Sequence, residues 1–187
     1  MAQQTIIVGA APNDGTGDPL QTAFTKANGN FTELYATGNV VQTAYAEVTT
    51  PGGTSAAMAG GADTIPQQTD GVQVITCSIT PKASTSNLLI DVNAQLASNV
   101  AANYWAALFR DATAAAITAE FIGSAVGDTP VTARLVIRVA AGSTSATTFK
   151  LRVGSFGGIS MGWNGLYSGR RLGGASRVTM TIDELKA

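Results

Sequence analysis

The chain has 187 residues, a formal net charge of −1, no histidine, a single cysteine and only 12% charged residues. Without histidine there is no Ser-His-Asp triad, no Cys-His dyad and no His-ligated metal site. One cysteine cannot close an intrachain disulfide.

The length fits one ordinary domain with an appendage, and a chain of this size can bury roughly 70% of its unfolded surface. The charged fraction is about half the roughly 25% usual for soluble domains; Ala, Thr, Ser and Gly take up the difference. Such a surface suits a protein that packs against copies of itself. Charge is also divided along the chain. Residues 1–71 hold six acids and one base, a net of −5, and residues 72–187 hold ten bases and six acids, a net of +4. A mildly basic distal part can face an anionic cell-surface glycan or complement a neighbouring protomer. Its bases are spread over strands instead of clustered, so nucleic acid is not an expected partner. No run approaches the ~18 apolar residues of a membrane span, so membrane insertion is not expected.

The N-terminus, MAQQTIIVGAAP, lacks a basic n-region and has a short apolar patch at Thr5 to Val8. It reads as an extended segment and not as a signal peptide. Asn13, Asp14, Gly15 and Gly17 then supply residues that tolerate positive φ, which predicts a tight turn. Asp18 is placed as a helix N-cap with Pro19 at the first helical position. Leu20, Phe24, Ala27, Phe31 and Leu34 recur at spacings of four, three, four and three, the a/d rhythm of a short coiled-coil seam. Thr22, Lys26, Asn30 and Glu33 lie off that seam. Gly38, in Ala36–Asn39, suits the helix stop.

Val40 to Thr49 is mixed and β-leaning. Thr50 to Gln68 has almost no bulky side chain and reads as a linker or a long surface loop. From Gly71 the pattern turns to period two. Strands are expected at Val72–Thr80, with Ile75, Cys77 and Ile79 on one face, and at Asn87–Leu96, with Leu88, Ile90, Val92, Ala94 and Leu96 inward. Others are expected at Asn103–Arg110, Ala115–Ile122, Pro130–Val139, Thr147–Val153 and Ser176–Leu185. Cys77 reads as a small buried core residue. Seven or eight short strands with regular turns predict a mainly β chain. Its head is an antiparallel, jelly-roll-like β-sandwich, preceded by a short helical segment. The expected divisions are 1–39, an N-terminal segment with turn and amphipathic helix; 40–70, a β-leaning segment and linker; and 71–187, the sandwich head.

No catalytic constellation emerges. NDGTGD lacks the Gly-Lys-Ser/Thr of a phosphate loop. As a calcium loop from Asp14 it has Thr25 where the closing Glu is needed. Asp91, Asp111, Glu120, Asp128, Asp183 and Glu184 sit mostly at strand edges and turns, as solvated acids do, and do not pair as glycosidase carboxylates. The aromatic residues offer a different chemistry. Trp163 and Tyr167 fall in the Gly-rich stretch Gly154–Gly174 with Asn164, Arg170 and Arg171, a set able to stack on and hydrogen-bond sugars. The same residues could instead fill the core or a subunit interface, as could Tyr104 and Trp105.

The segment APNDGTGDPLQTAFTKANGNFTELY resembles one near the N-terminus of many tail-fibre and virion-fibre proteins of tailed bacteriophages, departing from the pattern at Gln21 and Gly29. VITCSITPKASTSNLLIDV, ALFRDATAAAI and ASRVTMTIDELKA are similar to parts of the C-terminal β-domains of such fibres. The resemblance implies a non-enzymatic virion protein, on tail or capsid, that forms homotrimers. It implies attachment to other virion proteins through the N-terminal segment and a distal head displayed outward, toward host-surface glycan. Asp18, Pro19, Leu20, Phe24, Ala27, Phe31 and Leu34 are the expected association and attachment residues.

Overall fold

The computed structural model describes residues 4–10, 14–34, 39–57, 63–167 and 169–187, with Glu33 and Leu34 described in backbone only. It contains two compact units, Met1–Asn39 with Lys186–Ala187, and Val40–Leu185. The first holds helix α1 (Leu20–Leu34). The second holds β1 (Val40–Val48), β2 (Gly52–Thr54), β3 (Val72–Ile79), β4 (Asn87–Ser98), β5 (Ala102–Arg110), β6 (Thr118–Ser124) and β7 (Val131–Ala140). It continues with β8 (Thr147–Ser155), β9 (Met161–Trp163), β10 (Gly165–Leu166), β11 (Gly169–Arg170) and β12 (Val178–Leu185). Among the described residues, no helix is long and apolar enough to cross a membrane.

The long strands form two antiparallel layers. One runs β1-β12-β4-β7, with β9 and β2 continuing it beside the last residues of β4. The other runs β3-β8-β5-β6. Setting the short β2, β9, β10 and β11 aside, the eight long strands lie in the order first, eighth, third, sixth in one layer. In the other the order is second, seventh, fourth, fifth. That is the wrapping of a jelly roll, as the pattern of short alternating strands predicts.

The core sits between the layers. Ile75, Cys77 and Ile79 of β3 are buried, as are Leu88, Ile90, Val92, Ala94 and Leu96 of β4. Phe149, Leu151 and Val153 of β8 and Val178, Met180 and Ile182 of β12 complete it. The alternation read from the sequence therefore identifies the inward face strand by strand. Burial pushes the Cys77 thiol pKa up, in keeping with an inert core residue.

Two sequence expectations are corrected and one open choice is decided. First, the sandwich starts at Val40, not Gly71. β1 pairs along its length with β12, and Ala44, Ala46 and Val48 pack against the core while Thr43, Tyr45 and Glu47 face outward. Its inward residues are too small to give a strong apolar signal, which hid the strand. Second, of the two readings of the stretch after β1, a linker or a long surface loop, the structure has the loop, held in place. β2 pairs with β9, Ala57 bridges Ser155, and Gln67 bridges Ala115. Residues 58–62 of that stretch lie outside the described residues. Third, β6 begins at Thr118 and not Ala115. The Ala116 N–H donates to Pro66 O at 2.9 Å, so residues 115–116 belong to the neighbouring loop pair.

One buried carboxylate fastens the end of β12. Glu184 is fully buried and accepts hydrogen bonds from Gln42 Nε2 at 2.6 Å, the Lys82 N–H at 2.9 Å and the Ala83 N–H at 3.2 Å. Burial pushes its pKa up, but the Lys82 N–H, Ser86, Gln42 and Ala83 outweigh that and hold it below the ordinary value. The contact ties β1, β12 and the turn between β3 and β4 together.

Candidate functional site

Two groups of residues stand out for function, one in each unit. In the N-terminal unit, residues 4–9 lie along one side of α1. Gln4 and Asn30 exchange two hydrogen bonds: the Gln4 N–H donates to Asn30 Oδ1 at 2.7 Å, and Asn30 Nδ2 donates to Gln4 O at 2.8 Å. Lys26 Nζ donates to Thr5 O at 3.2 Å and to Asp18 Oδ2 at 2.7 Å. The Ile7 N–H donates to Asp18 Oδ2 at 2.9 Å, and the Asp18 N–H returns to Ile7 O at 2.7 Å. The polar positions off the seam therefore hold the chain's own N-terminal segment. Gly17 permits this close approach, because a Cβ there would lie 3.1 Å from Ile7 O.

The Asp18 expectation changes accordingly. The first helical hydrogen bond runs from the Ala23 N–H to Pro19 O at 2.9 Å, so Pro19 itself occupies the cap. Asp18 lies one residue earlier, its carboxylate engaged by Ile7 and Lys26. The hydrogen bond from Lys26, then that from Ile7, lowers its pKa. Asp14 shapes the preceding turn, accepting from the Thr16 N–H at 2.9 Å and the Ala10 N–H at 2.6 Å. Asn13, the helix stop at residues 36–38 and the Leu34 side chain lie outside the described residues.

The seam points away from this internal contact. Leu20 is 73% exposed, Phe24 62% and Phe31 59%, while Ala27 is half-buried. Side chains of this size on one helix face are normally covered; none of the described residues of the unit covers these.

The second group, in the Gly-rich stretch, is divided by the fold. Trp163 ends β9 and is half-buried against the main core, its indole lying over Gly52; a Cβ at Gly52 would overlap it. Asn164 is 1% exposed, with φ 60°, and its amide donates to Val48 O at 2.6 Å and Thr50 O at 3.3 Å. These two residues fasten the loop after β1; the Asn164 side chain is closed to a ligand and that of Trp163 is only partly open. β10 and β11 then form a small hairpin, pairing Gly165 with Arg170 and Leu166 with Gly169. Tyr167 stands in its turn, 42% exposed, and Arg170 and Arg171 are exposed at its base. Arg170 donates to Gly173 O, and Arg171 Nη1 to Arg170 O at 3.2 Å. An aromatic tip and two guanidinium groups can stack on a sugar ring and pair with a carboxylate or sulfate on it. Of the sequence-derived set, Tyr167, Arg170 and Arg171 lie exposed in or beside this hairpin, and Trp163 and Asn164 turn inward.

Several other acids serve local structure. Asp91 pairs with Arg134 at 2.7 Å, and Glu120 accepts from the Arg134 N–H at 2.9 Å. Asp111 accepts from the Thr148 N–H at 2.7 Å, and Asp183 from Thr43 Oγ1 at 2.6 Å. On the outer face of β1, Glu47 accepts from Tyr45 Oη and Arg177 Nη1, both at 2.8 Å, and these bonds lower its pKa. Among the described residues, no three His, Cys, Asp or Glu converge as a metal site would need.

No protein-family model matches the chain, and no curated protein matches its sequence. Among solved structures, the chain is similar to that of infectious bursal disease virus, Gx strain, at 12% identity and TM-score 0.36, over 79% of this chain and 38% of that one. A T13 viral particle of the same virus gives 11% identity and TM-score 0.35, over 78% and 36% of the two chains. The VP2 subviral particle of infectious bursal disease virus gives 12% and 0.34, over 79% and 39%. The chain thus spans under two fifths of the length of these structures.

Proposed function

We propose that this chain is a non-enzymatic structural fibre or appendage protein of a tailed-bacteriophage virion. In this reading it is a homotrimer, docked on other virion proteins through its N-terminal segment, with the sandwich displayed outward. The observation that carries the reading is the exposed Leu20-Phe24-Phe31 face. The opposite side of that helix is already engaged by residues 4–7, so the apolar face is free for other copies of the chain. The resemblance of the surrounding segment to phage fibres supplies the setting, and the sparse charge agrees with a surface used for self-association. Symmetric assembly would also give a weak sugar contact high avidity. On the head, the Tyr167-Arg170-Arg171 hairpin is the contact for anionic host-surface glycan.

A second reading is a purely structural protein, capsid-decorating or a tail adaptor or collar, with no receptor contact. It is favoured by the inward placement of Trp163 and Asn164, which reduces the sugar platform to a small hairpin.

Light scattering on the full chain and on the Phe24→Ser/Phe31→Ser variant tests the association. A trimer in the first and a monomer in the second supports the seam. A trimer in both moves the interface to the sandwich and leaves the N-terminal segment as a docking peg. A monomer in both removes avidity and favours the decorating role. Loss of binding to a sulfated or sialylated glycan array by Arg170→Ala/Arg171→Ala separates the two readings; an array with no hits supports the second.

A further inference from the structure

Two apolar surfaces of the N-terminal unit lie uncovered among the described residues. One is the helix face of Leu20, Phe24 and Phe31, each more than half exposed. The other is the extended segment, where Ile6 is 37% exposed, Ile7 53% and Val8 87%. A single exposed apolar residue needs no partner, whereas a contiguous run marks an interaction surface. The two surfaces belong to different sides of the helix. Each helical residue turns the chain by about 100°, so Leu20, Phe24 and Phe31 fall within about 40° of one another. Lys26, Gly29 and Asn30 lie roughly 100–160° from the middle of that face. These are residues that meet the segment. Lys26 Nζ donates to Thr5 O at 3.2 Å, Asn30 Nδ2 donates to Gln4 O at 2.8 Å, and a Cβ at Gly29 would lie 2.9 Å from Gln4 Nε2. The bonds that hold residues 4–7 use main-chain atoms of the segment. The side chains of Ile6, Ile7 and Val8 therefore stay open to another molecule.

We propose that these two surfaces cover one another between copies of this chain. The Leu20-Phe24-Phe31 face of one protomer packs on the Ile6-Ile7-Val8 segment of the next. Such a contact is head to tail: it uses a different patch on each partner and repeats until a ring closes. The inference rests on the self-association reading above and names the surface that the helix face meets. Three observations select it over one helix face packed on another. The first is the match in amount. The exposed fractions on the segment nearly equal those on the helix face, so each surface can cover the other. Helix against helix would leave Ile7 and Val8 in water. The second is area. With side chains of roughly 150–250 Å², the helix face offers on the order of 300–500 Å², well short of the ~800 Å² that one partner gives to a stable interface. A protomer that uses both surfaces buries nearly twice as much. The third is charge. None of the six side chains is charged, and Asp18 and Lys26, which border the segment, already pair with each other at 2.7 Å. A charged partner gains nothing there, and an apolar one from the same chain fits.

The test is cysteine cross-linking between full-length chains, with mass by light scattering. The native Cys77 is buried, so introduced thiols report alone. Val8→Cys and Phe24→Cys are made as separate variants, then oxidised singly and as an equal mixture. The mixture is expected to give a disulfide-linked pair holding one copy of each variant, and neither variant alone should link to itself. Phe24→Cys linking to itself, with no mixed pair, places helix against helix and overturns the proposal. Ile7→Ser/Val8→Ser is expected to lower the oligomer mass to that of one chain, as Phe24→Ser/Phe31→Ser does. The swap Ile7→Val/Val8→Ile keeps the apolar surface and should keep the wild-type mass, so a loss caused by misfolding of the segment is recognised. If Ile7→Ser/Val8→Ser keeps the wild-type mass while Phe24→Ser/Phe31→Ser loses it, this contact is refuted and the seam reading stands. A wild-type chain that is itself monomeric, with no mixed pair, refutes both and assigns the two surfaces to a different protein.

Discussion

In the sandwich, Leu108, Phe149 and Met180 are fully buried; in the N-terminal unit, Leu20, Phe24 and Phe31 stay more than half exposed. Residues of the same type do different work in the two regions. Sandwich side chains meet across two layers of the same chain, so each strand satisfies its own apolar face. Among the described residues of its unit, the helix has no second layer; the extended segment at residues 4–7 meets it, and that segment binds through polar groups. One region buries its hydrophobic area on folding, and in the other it stays exposed.

The largest expected effect sharpens this contrast directly. Phe149→Ala should destabilise the sandwich by about 3–5 kcal/mol in denaturant unfolding, through lost burial and a residual cavity. Phe24→Ala should change sandwich unfolding by less than about 0.5 kcal/mol while lowering the mass seen by light scattering. Equal losses of stability from the two changes would break the comparison.

Next is the Glu184 clasp. Glu184→Gln should cost about 2–3 kcal/mol at neutral pH, since hydrogen bonds to a charged group are replaced by weaker or unmade ones. The pH dependence has a definite sign. The folded carboxyl lies below its ordinary value of 4.5, so its contribution is full above that value and is lost as pH falls through the lowered one. Thermal melts of wild type and variant should therefore differ most near neutrality and converge in acid. A constant offset at every pH would assign the effect to packing alone.

Asn164→Ala should cost about 1–2 kcal/mol, losing the hydrogen bonds to Val48 and Thr50 and straining a positive φ. Asn164→Gly should recover part of that by relieving the backbone; no recovery on thermal melting would mean that the lost hydrogen bonds are the whole cost. The smallest global effect is expected from Lys26→Ala. It should leave sandwich melting unchanged and raise amide exchange at Ile7, since Lys26 helps hold Asp18 and residue 5 in place. Slowed or unchanged exchange there would show that the Gln4–Asn30 pair suffices.

Much of the sandwich was legible because strict alternation needs no partner to be recognised. The inward sets of β3, β4, β8 and β12 were read residue by residue. β1 was not, since Ala44 and Ala46 carry little apolar signal and only the ladder to β12 reveals the strand. The candidate sugar residues were legible by type and misleading by location. Trp163 and Asn164 sit beside Tyr167 in sequence, yet backbone pairing with β2 and β4 turns them toward the body of the protein. Sequence reading weighed Trp105 chiefly as core. It borders a cavity because a loop from residues 63–68 reaches across from distant sequence.

The amino-acid sequence by itself determined the β character of the chain, the helix at Leu20–Leu34, the inward face of most strands and the absence of histidine chemistry. These depend on side-chain period and residue type, which are local properties. Only the tertiary structure decided that β1 completes the jelly roll, that Asp18 and Lys26 hold residues 5–7, that Asn164 is a fastening and that Trp105 borders a cavity. Each of those depends on which distant backbone supplies a partner. Hydrogen bonds between residues far apart in sequence leave no periodic trace in either segment.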